Sequence, residues 1–459
     1  MIDSAPNLPA KPRILFFARG YQVDFFPELH DEAYEAVFAT LTREEAAKVR
    51  SKGYEVAACF EADYDGITPA EVPVHYLYTS FVAERFLGRY DHDKRLEILG
   101  KEIAFWRALF DRYEPVAVVN ELVAIEISEV LLIESRARGI RYLAGMNCVV
   151  EDWFYWLPDP MTISGRTFDL PEPGAEAKAE AAAYFEELRQ QDYKPFYVKN
   201  LAGRRALKPL AAGVIRTLQW LWRDRESRRG KFRYESYTEE YSKRIQTFLA
   251  SFVRPYDRLE DIGEDKEIVF YPLHQEPEAT LNYMSEFMAH QPATIENIMK
   301  CLGPHQVLVV KEHPVDKGAL LRPKFREVRD RYSALRYLPA EVPGRTVLRR
   351  CERVVTLTST VGWEAANLGK SVCVMGEIFY DDLEGIQRIA NWRELREAMR
   401  TPVEELPRLD PVTAEHFVAQ MTEVSYRGNP FPYPELYSPE NIARVKHAIR
   451  QGAGITDGS

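Results

Sequence analysis

The protein has 459 residues, of which 46% are hydrophobic and 28% are charged, and its formal net charge is -10. This length suits two or three folded domains, and the acidic balance argues against a protein devoted to nucleic acid. The five cysteines are scattered without paired spacing, so we expect neither a disulfide framework nor a zinc site. Because no signal sequence and no run of about 18 apolar residues is evident, we expect a soluble, cytoplasmic protein.

Strands and helices alternate through the first third of the chain. The predicted strands are Arg13 to Ala18, Tyr54 to Phe60, Val74 to Tyr78, Pro115 to Val119 and Ile140 to Ala144, and the predicted helices are Asp31 to Arg50, Asp91 to Arg112 and Glu126 to Arg138. A parallel sheet covered by helices on both faces is the economical fold for such an alternation. We assign residues 1–158 to a first Rossmann-like domain.

The alternation fails in residues 159–262, which we interpret as a helical insertion or linker. Ala175 to Gln190 is rich in alanine and glutamate and predicts a helix. Lys194 to Lys231 is strongly basic, and its apolar residues fall near helical spacing. Such a helix can lie on an anionic membrane surface. An interdomain helix with a buried apolar face explains the same pattern.

The alternation resumes at Glu267. The predicted strands are Glu267 to Tyr271, Val307 to Val310, Leu335 to Leu338, Val354 to Leu357 and Ser371 to Met375, and the predicted helices are Ala293 to Leu302, the segment between Thr360 and Gly369, and further helices from Asn391 onward. We assign residues 263–390 to a second doubly wound domain. Residues 391–459 are predicted to form helices that pack back on the domains.

Polar turns follow three strands of the second predicted domain. Their candidate ligand-binding residues are His274, Lys311, His313, Thr358, Ser359, Thr360, Val361 and Gly362, with Glu364 one turn into the next helix. The carboxyl ends of parallel strands share one edge of the sheet, where open α/β folds bind ligands. Free amides and the helix dipole favour an anion there. The alternatives are hydroxyls that only cap a helix, a structural histidine and a solvated glutamate.

A longer pattern resembles a known family. The runs Tyr271 to Thr280, Val310 to Pro314, Thr360 to Ala365, Gly369 to Val372 and Gly376 to Tyr380 occur in the order seen in the bacterial capsule polysaccharide biosynthesis family. That family includes transferases of Kdo from CMP-Kdo and looks like GT-B glycosyltransferases, which have two Rossmann-like domains with a cleft between them. The similar stretch, Ile268 to Asp382, covers about a quarter of the chain.

The resemblance implies roles for several residues. His313 would contact the donor phosphate, while Thr358 to Gly362 and Glu364 would hold the rest of the nucleotide. In the family an acidic residue of the N-terminal domain acts at the sugar.

The candidates for this acidic residue lie after two strands of the first predicted domain. Asp152 and Glu151 follow the strand Ile140 to Ala144 in a segment that resembles the family's acidic motif. Either could act as a general base on an acceptor hydroxyl or stabilise charge at the anomeric carbon. Glu121, after the strand Pro115 to Val119, is a rival at the same edge, and all three could be ordinary surface carboxylates.

We therefore predict an α/β, GT-B-like fold with two doubly wound domains, a cleft between them and a helical insertion. The predicted function is a glycosyltransferase of surface or capsule polysaccharide biosynthesis. It would use CMP-Kdo or a similar nucleotide sugar without a metal or other cofactor, since Lys311, His313 and helix-end amides would neutralise the leaving phosphate. The acceptor would be a glycan or a lipid-linked glycan, with peripheral contact to the inner membrane through residues 194–231.

Two other functions remain open at this level. The first is transfer of a polyol phosphate from a CDP-linked donor, as in teichoic-acid-type polymerases, which also combine two Rossmann-like domains with His-Pro turns. The second is a catalytically silent assembly protein that keeps the nucleotide cleft. The mass of the reaction product would separate the two enzymes.

Overall fold

The computed structural model describes residues 11–73, 81, 86–190, 231–235, 256–276, 278–431 and 434–455. These residues divide into two compact units. The first unit contains the residues up to Pro160, residues 231–235 and the residues from Val424 onward, and the second contains the rest. The predicted strand Val74 to Tyr78 and nearly all of the basic stretch Lys194 to Lys231 lie outside the described residues.

The described strands and helices alternate along most of the chain. The strands are β1 (Arg13–Ala18), β2 (Glu35–Thr40), β3 (Val56–Cys59), β4 (Ala117–Asn120), β5 (Arg141–Asn147), β6 (Trp153–Trp156), β7 (Glu267–Pro272), β8 (Gln306–Lys311), β9 (Leu335–Leu338), β10 (Cys351–Thr356), β11 (Ser371–Val374), β12 (Ile386–Arg388) and β13 (Tyr426–Arg427). The helices are α1 (Gln22–Phe25), α2 (Arg43–Ser51), α3 (Phe60–Asp63), α4 (His92–Tyr113), α5 (Glu126–Ala137), α6 (Ala175–Arg189), α7 (Ala279–Met284), α8 (Gln291–Met299), α9 (Pro323–Arg331), α10 (Gly344–Leu348), α11 (Thr360–Asn367), α12 (Trp392–Arg400), α13 (Pro411–Glu423) and α14 (Pro439–Ala453).

The sheet of the first unit is covered on both faces. Its strand order is β13-β6-β5-β4-β1-β2-β3. In β1, Leu15 and Phe17 point into one hydrophobic core, while Phe16 and Ala18 point into another. A strand buried on both faces carries a continuous apolar run, which is why β1 was predicted with its observed bounds.

One predicted helix of this unit is wrong. The segment Asp31 to Arg50 contains the inner strand β2, followed by the helix α2. Because β2 lies between β1 and β3, its residues are apolar on both faces, and such a run cannot be told from a buried helix by periodicity. The helix begins only at Arg43, where Thr42 and Glu45 form a capping box.

The first sheet was predicted to be parallel, but it is mixed. Strands β1 to β5 pair in parallel, whereas β6 and β13 are antiparallel to their neighbours. The strand β5 runs on to Asn147, three residues beyond the predicted end, and β6 returns directly through a tight turn. In this hairpin the amide of Cys148 donates to the carbonyl of Trp153 over 2.9 Å. A turn this short permits only antiparallel pairing.

The sheet of the second unit has the order β12-β11-β10-β7-β8-β9, and all of its paired strands are parallel. The prediction gives β9 its observed bounds and places β7, β8, β10 and β11 within a few residues, whereas β12, α7, α9 and α10 were not predicted. On one face, Trp363 of α11 donates through its indole N-H to Tyr184 of α6 over 2.9 Å. Two α/β units with mainly parallel sheets confirm the predicted fold class.

Each sheet has a point at which the direction of strand addition reverses. In the first unit the chain runs from β1 to β2 on one side and later places β4 on the other side of β1. In the second unit it runs from β7 to β8 and β9 and then places β10 on the other side of β7. Ligands of open α/β sheets bind beside such reversal points, outside the carboxyl ends of the strands.

Candidate functional site

Three of the predicted polar turns lie at one edge of the second sheet. Strands β10, β7 and β8 are neighbours and parallel, so their carboxyl ends meet at the same edge. Thr358 follows β10, His274 follows β7 and His313 follows β8. The reversal point of the sheet lies between β10 and β7, and Thr358 and His274 therefore flank it. The structure places these residues as the sequence pattern implied.

Two of these side chains have buried polar atoms without a partner. His274 is 5% exposed and Thr358 is 7% exposed. Neither His274 Nε2 nor Thr358 Oγ1 finds a hydrogen-bond partner among the described residues. An unsatisfied buried polar group costs about 1–3 kcal/mol, so two such groups on either side of a reversal point are the signature expected of a ligand site.

The two histidines at this edge are neutral at physiological pH. Burial, with a further effect from His313, lowers the pKa of His274 to about 3. Burial and the charge of Lys311 lower the pKa of His313 to about 4. The backbone amide of Val315 donates to His313 Nδ1 over 3.4 Å, so the neutral ring carries its proton on Nε2. A neutral imidazole in this form can donate one hydrogen bond to a ligand.

Lys311 is held inside the turn after β8. Its ammonium group donates to the carbonyl of Glu312 over 3.0 Å, and its side chain is buried. Burial lowers the pKa of Lys311 to about 8, so the group is still charged at neutral pH. Because Lys311 is buried at the end of β8, its positive charge would interact with an anion at this edge more strongly than it would in water.

Glu312 stabilises the loop that carries His313, a role that the sequence pattern did not reveal. Its carboxylate accepts hydrogen bonds from the hydroxyl of Tyr256 at 2.7 Å and from the amides of Gly318 and Leu320 at 3.0 Å. Burial raises the pKa of Glu312 above its usual value. A carboxylate that accepts several short bonds fixes the loop backbone and so fixes the position of His313.

The turn after β10 combines capping with packing. Ser359 is the N-cap of α11, and its hydroxyl accepts from the amide of Val361 over 3.2 Å. The hydroxyl of Tyr380 donates to the carbonyl of Ser359 over 2.6 Å. A Cβ at Gly362 would lie only 2.1 Å from that hydroxyl, so glycine is needed here for packing against Tyr380. Ser359, Val361 and Thr360, the first residue of the helix, are half-buried.

Glu364 is not the solvated helical glutamate that was the alternative to a ribose ligand. Its side chain is 12% exposed and lies 3.7 Å from the guanidinium Nε of Arg345. Arg345 also donates to the carbonyls of Leu188 at 2.9 Å and Gln190 at 3.0 Å. Glu364 thus belongs to a contact between α11, α10 and the end of α6.

In the first unit the reversal point lies between β1 and β4, and Arg19 and Glu121 follow these strands. The Nη1 atom of Arg19 is 3.5 Å from the carboxylate of Glu121, and Nη2 is 3.4 Å from Glu235. Burial opposes the charged form of Arg19, but the nearby carboxylates outweigh it and raise its pKa. Glu45 accepts from the amide of Gly20 over 3.0 Å, and burial raises its pKa. Sequence reasoning found Glu121 but missed Arg19, Glu45 and Glu235.

Asp152 and Glu151 occupy a different position. Both are exposed in the turn of the β5-β6 hairpin, which leaves the same edge of the sheet further from the reversal point. Asp152 has a left-handed backbone, with φ of 64°, and its carbonyl accepts from the amide of Gly428 over 2.8 Å. The structure therefore brings Glu121 to the reversal point and leaves Asp152 and Glu151 on a projecting hairpin.

Two further features concern metals and membranes. Among the described residues, no group of three or more histidine, cysteine, aspartate or glutamate side chains is arranged to hold a metal ion. All five cysteines are buried, and none forms a disulfide bond. In the part of the chain that the structure describes, no helix has both the length and the apolar character needed to cross a membrane.

Comparison with known proteins identifies the family that the second unit resembles. Residues 230–410 match the family model described as capsule polysaccharide biosynthesis protein. The resemblance predicted from the motifs between Ile268 and Asp382 is therefore confirmed for this segment. The second sheet and all three of its polar turns lie within the matched residues. No curated protein matches the chain.

Several solved structures are similar to this chain at low sequence identity. The Thermosulfurimonas dismutans KpsC beta Kdo 2,7 transferase is 11% identical, with a TM-score of 0.36, and the match covers 96% of this chain and 99% of that one. The beta Kdo 2,4 transferase of the same KpsC is 15% identical, with a TM-score of 0.33 and coverage of 69% and 82%. The UDP-GlcNAc 2-epimerase from Neisseria meningitidis is 10% identical, with a TM-score of 0.31 and coverage of 96% and 100%.

Proposed function

We propose that the protein is a glycosyltransferase of surface or capsule polysaccharide biosynthesis and that it binds a nucleotide-activated sugar, CMP-Kdo or a related donor, at the second unit. One observation carries the proposal: His274 Nε2 and Thr358 Oγ1, which are buried without a hydrogen-bond partner among the described residues, belong to the turns that flank the reversal point of the second sheet. This edge lies within the residues that match the capsule polysaccharide biosynthesis family. Both atoms are covered by neighbouring groups, so a ligand would engage them after small side-chain rotations.

The donor phosphate would lie between the turns after β8 and β10. His313 would donate a hydrogen bond from Nε2, and Lys311 would supply positive charge from beneath. The first amides of α11 would point at the phosphate, as helix N-termini do for anions. These groups together would stabilise the charge on the leaving nucleotide without a metal ion. Glu364 would accept ribose hydroxyls once its contact with Arg345 rearranges.

The acceptor would use the edge of the first sheet. Glu121 follows β4 and lies 3.5 Å from Arg19, and its carboxylate would act on an acceptor hydroxyl as a general base. Asp152 and Glu151 remain candidates for the same role on the neighbouring hairpin. We further propose a cytoplasmic enzyme whose acceptor is a glycan or lipid-linked glycan, with peripheral membrane contact through residues 194–231.

A thermal stabilisation screen tests the nucleotide site directly. A ligand that binds only the folded protein raises its stability by about 2.7 kcal/mol at 100 times the dissociation constant. We expect CMP or CDP to raise the melting temperature more than UMP, UDP or AMP. If none of these nucleotides shifts the melting temperature at millimolar concentration, the proposed donor site is wrong.

The chemistry is tested by the mass of the product. Incubation with CMP-Kdo and a glycan acceptor should add the mass of one Kdo residue to the acceptor. A product that carries a polyol phosphate from a CDP-linked donor would instead identify the teichoic-acid-type reaction. Nucleotide binding with neither transfer nor donor hydrolysis would identify a catalytically silent protein.

A further inference from the structure

The side chain of Gln291 spans the turn that carries His274. Gln291 is the first residue of α8 and is 0% exposed. Its carbonyl oxygen accepts from the backbone amide of His274 over 2.8 Å, and its amide nitrogen donates to the backbone carbonyl of His274 over 3.0 Å. One side chain thus satisfies both backbone groups of a single residue, as a neighbouring strand would.

The remaining hydrogen-bonding capacity of Gln291 is also used. Its carbonyl oxygen accepts a longer bond of 3.4 Å from the hydroxyl of Tyr271, and its nitrogen donates to the carboxylate of Glu276 over 2.9 Å. A primary amide offers two donors and an oxygen with two lone pairs. Both are fully engaged, so the orientation of the amide is determined by its partners and the backbone of His274 is held in place.

The contrast between backbone and side chain at His274 carries the inference. The backbone of this residue is fully satisfied by Gln291, whereas Nε2 of its buried ring has no partner among the described residues. A fixed backbone beside a buried ring atom that has no partner among the described residues is the arrangement expected where the ring binds another group.

We propose that Gln291 is the positioning residue of the nucleotide site and that it holds the turn of His274 at the end of β7, beside the reversal point between β7 and β10. This inference rests on the proposed function for the identity of the ligand. The positioning of His274 by Gln291 can be measured without any nucleotide. Gln291 would act on the nucleotide through the turn that carries His274 and not by direct contact.

The second sheet contains a matched control at its opposite edge. Gln306, the first residue of β8, is 5% exposed and also uses its amide to bridge two backbone groups. It accepts from the amide of Gly303 over 2.9 Å and donates to the carbonyl of Met399 over 2.9 Å. The variants Gln291→Met and Gln306→Met each remove one buried amide from the same unit and keep a similar volume. Because Gln291 makes four of these hydrogen bonds and Gln306 makes two, Gln291→Met should cost more stability, and both variants are compared under conditions in which each is fully folded.

The first measurement follows the imidazole of His274 by NMR without nucleotide, with the signal assigned by its loss in His274→Gln. In the wild type this ring should stay neutral down to about pH 4, because burial lowers its pKa to about 3. In Gln291→Met the turn is released and the ring becomes hydrated, so we expect its titration to move up by at least one pH unit. In Gln306→Met it should stay at the wild-type value.

The second measurement is the affinity for CMP by calorimetry. We expect Gln291→Met to weaken binding at least tenfold and Gln306→Met to change it less than twofold. If Gln291→Met does not fold, Gln291→Asn, which keeps the amide but shortens its reach, should produce the same two changes.

The outcomes separate the two proposals. An unchanged His274 titration in Gln291→Met, or an equal shift in Gln306→Met, would overturn the positioning role whatever the nucleotide does. A shifted His274 titration with unchanged CMP affinity would show that Gln291 positions His274 but would overturn its role in the nucleotide site. A wild-type protein that binds no nucleotide at all would overturn the proposed donor site, while the titration would still decide whether Gln291 positions His274.

Discussion

Among single residues, Thr358 is the clearest example of a buried hydroxyl that lowers the free energy of unfolding at a candidate site. It is buried after β10, and Oγ1 has no hydrogen-bond partner among the described residues. Its methyl group is packed instead, since a Cβ at Gly376 would lie 2.8 Å from Thr358 Cγ2. Valine would keep this packing and remove only the hydroxyl.

We therefore predict that Thr358→Val stabilises the protein and weakens nucleotide binding. Removal of an unsatisfied buried hydroxyl should raise the free energy of unfolding by about 1 kcal/mol, while CMP affinity should fall at least fivefold. Thr422→Val is the control, because its buried hydroxyl donates to the carbonyl of Val418 over 2.8 Å within α13. This control should lose about 1 kcal/mol without a change in affinity. A loss of stability in Thr358→Val would show that its hydroxyl is satisfied.

His313 provides a prediction about pH. Burial lowers its pKa to about 4, and a bound phosphate would raise it by stabilising the charged ring. Binding should then take up protons, so affinity should increase as the pH falls from 7 toward 5. Calorimetry in buffers of different ionisation enthalpy should show greater proton uptake in the wild type than in His313→Gln. This comparison cancels the titration of the phosphate itself, and equal uptake in both proteins would argue against a phosphate beside His313.

The same shift has the opposite effect on folding. The pKa of His313 is lower in the folded protein than its usual value of 6.5, so the folded state binds this proton less readily than the unfolded state does. The contribution of His313 to stability is therefore present above about pH 6.5 and is lost as the pH falls toward 4. When the pH falls from 7 to 5, the affinity for the nucleotide should therefore increase while the free energy of unfolding decreases.

At the scale of elements, the short segment of residues 231–235 is held firmly on the first unit. Phe232 stacks on Tyr64 with ring centroids 3.6 Å apart, and its carbonyl accepts from Arg43 over 3.0 Å. Arg233 pairs with the buried carboxylate of Glu61 at 3.2 Å, and the amide of Tyr234 donates to Glu61 over 2.9 Å. Aromatic packing and a buried ion pair together anchor this segment.

Phe232→Ala should therefore destabilise the first unit by about 3 kcal/mol, the usual cost of removing a buried aromatic ring. Phe287→Ala is the control, since Phe287 is 92% exposed and should change stability by less than about 0.5 kcal/mol. Chemical denaturation followed by tyrosine and tryptophan fluorescence measures both. If the two variants unfold at the same denaturant concentration, the segment contributes little to the first unit.

For the whole molecule, we predict that nucleotide binding and acceptor activation depend on different units. The nucleotide would depend on the second unit and the carboxylate chemistry on the first, where Glu121 lies beside Arg19 and Asp152 lies on the β5-β6 hairpin. Each sheet presents its candidate residues at the carboxyl edge. A change in one unit should therefore affect one step of the reaction.

We predict that Glu121→Gln keeps the wild-type affinity for CMP and lowers kcat at least 100-fold, as expected for the loss of a general base. Asp152→Asn is the parallel test of the hairpin residue, and the carboxylate whose loss abolishes transfer is the catalytic one. Nucleotide binding by calorimetry and transfer by product mass should be measured on the same preparations. Equal losses of affinity and rate in both variants would contradict a division between the units.

The alternation of strands and helices, and the turns at which polar residues cluster, could largely be predicted from the amino-acid sequence. Strands such as β1 and β9 were predicted with their observed bounds, because a short apolar run bounded by polar residues is a local signal. The edge shared by His274, His313 and Thr358 also followed, since parallel strands connected through helices end on the same side. The family resemblance of the second unit was likewise contained in local motifs.

The hydrogen bonds and ion pairs between residues distant in sequence could be found only in the folded structure. The strand β2 was mistaken for helix because burial on both faces comes from its neighbours β1 and β3. Gln291 contacts His274 across 17 positions, and Arg19 meets Glu121 across 102 positions. No local pattern encodes such pairs, because they depend on strand order and on how each turn packs. For the same reason, only the folded structure shows that His274 Nε2 and Thr358 Oγ1 are buried without a hydrogen-bond partner among the described residues.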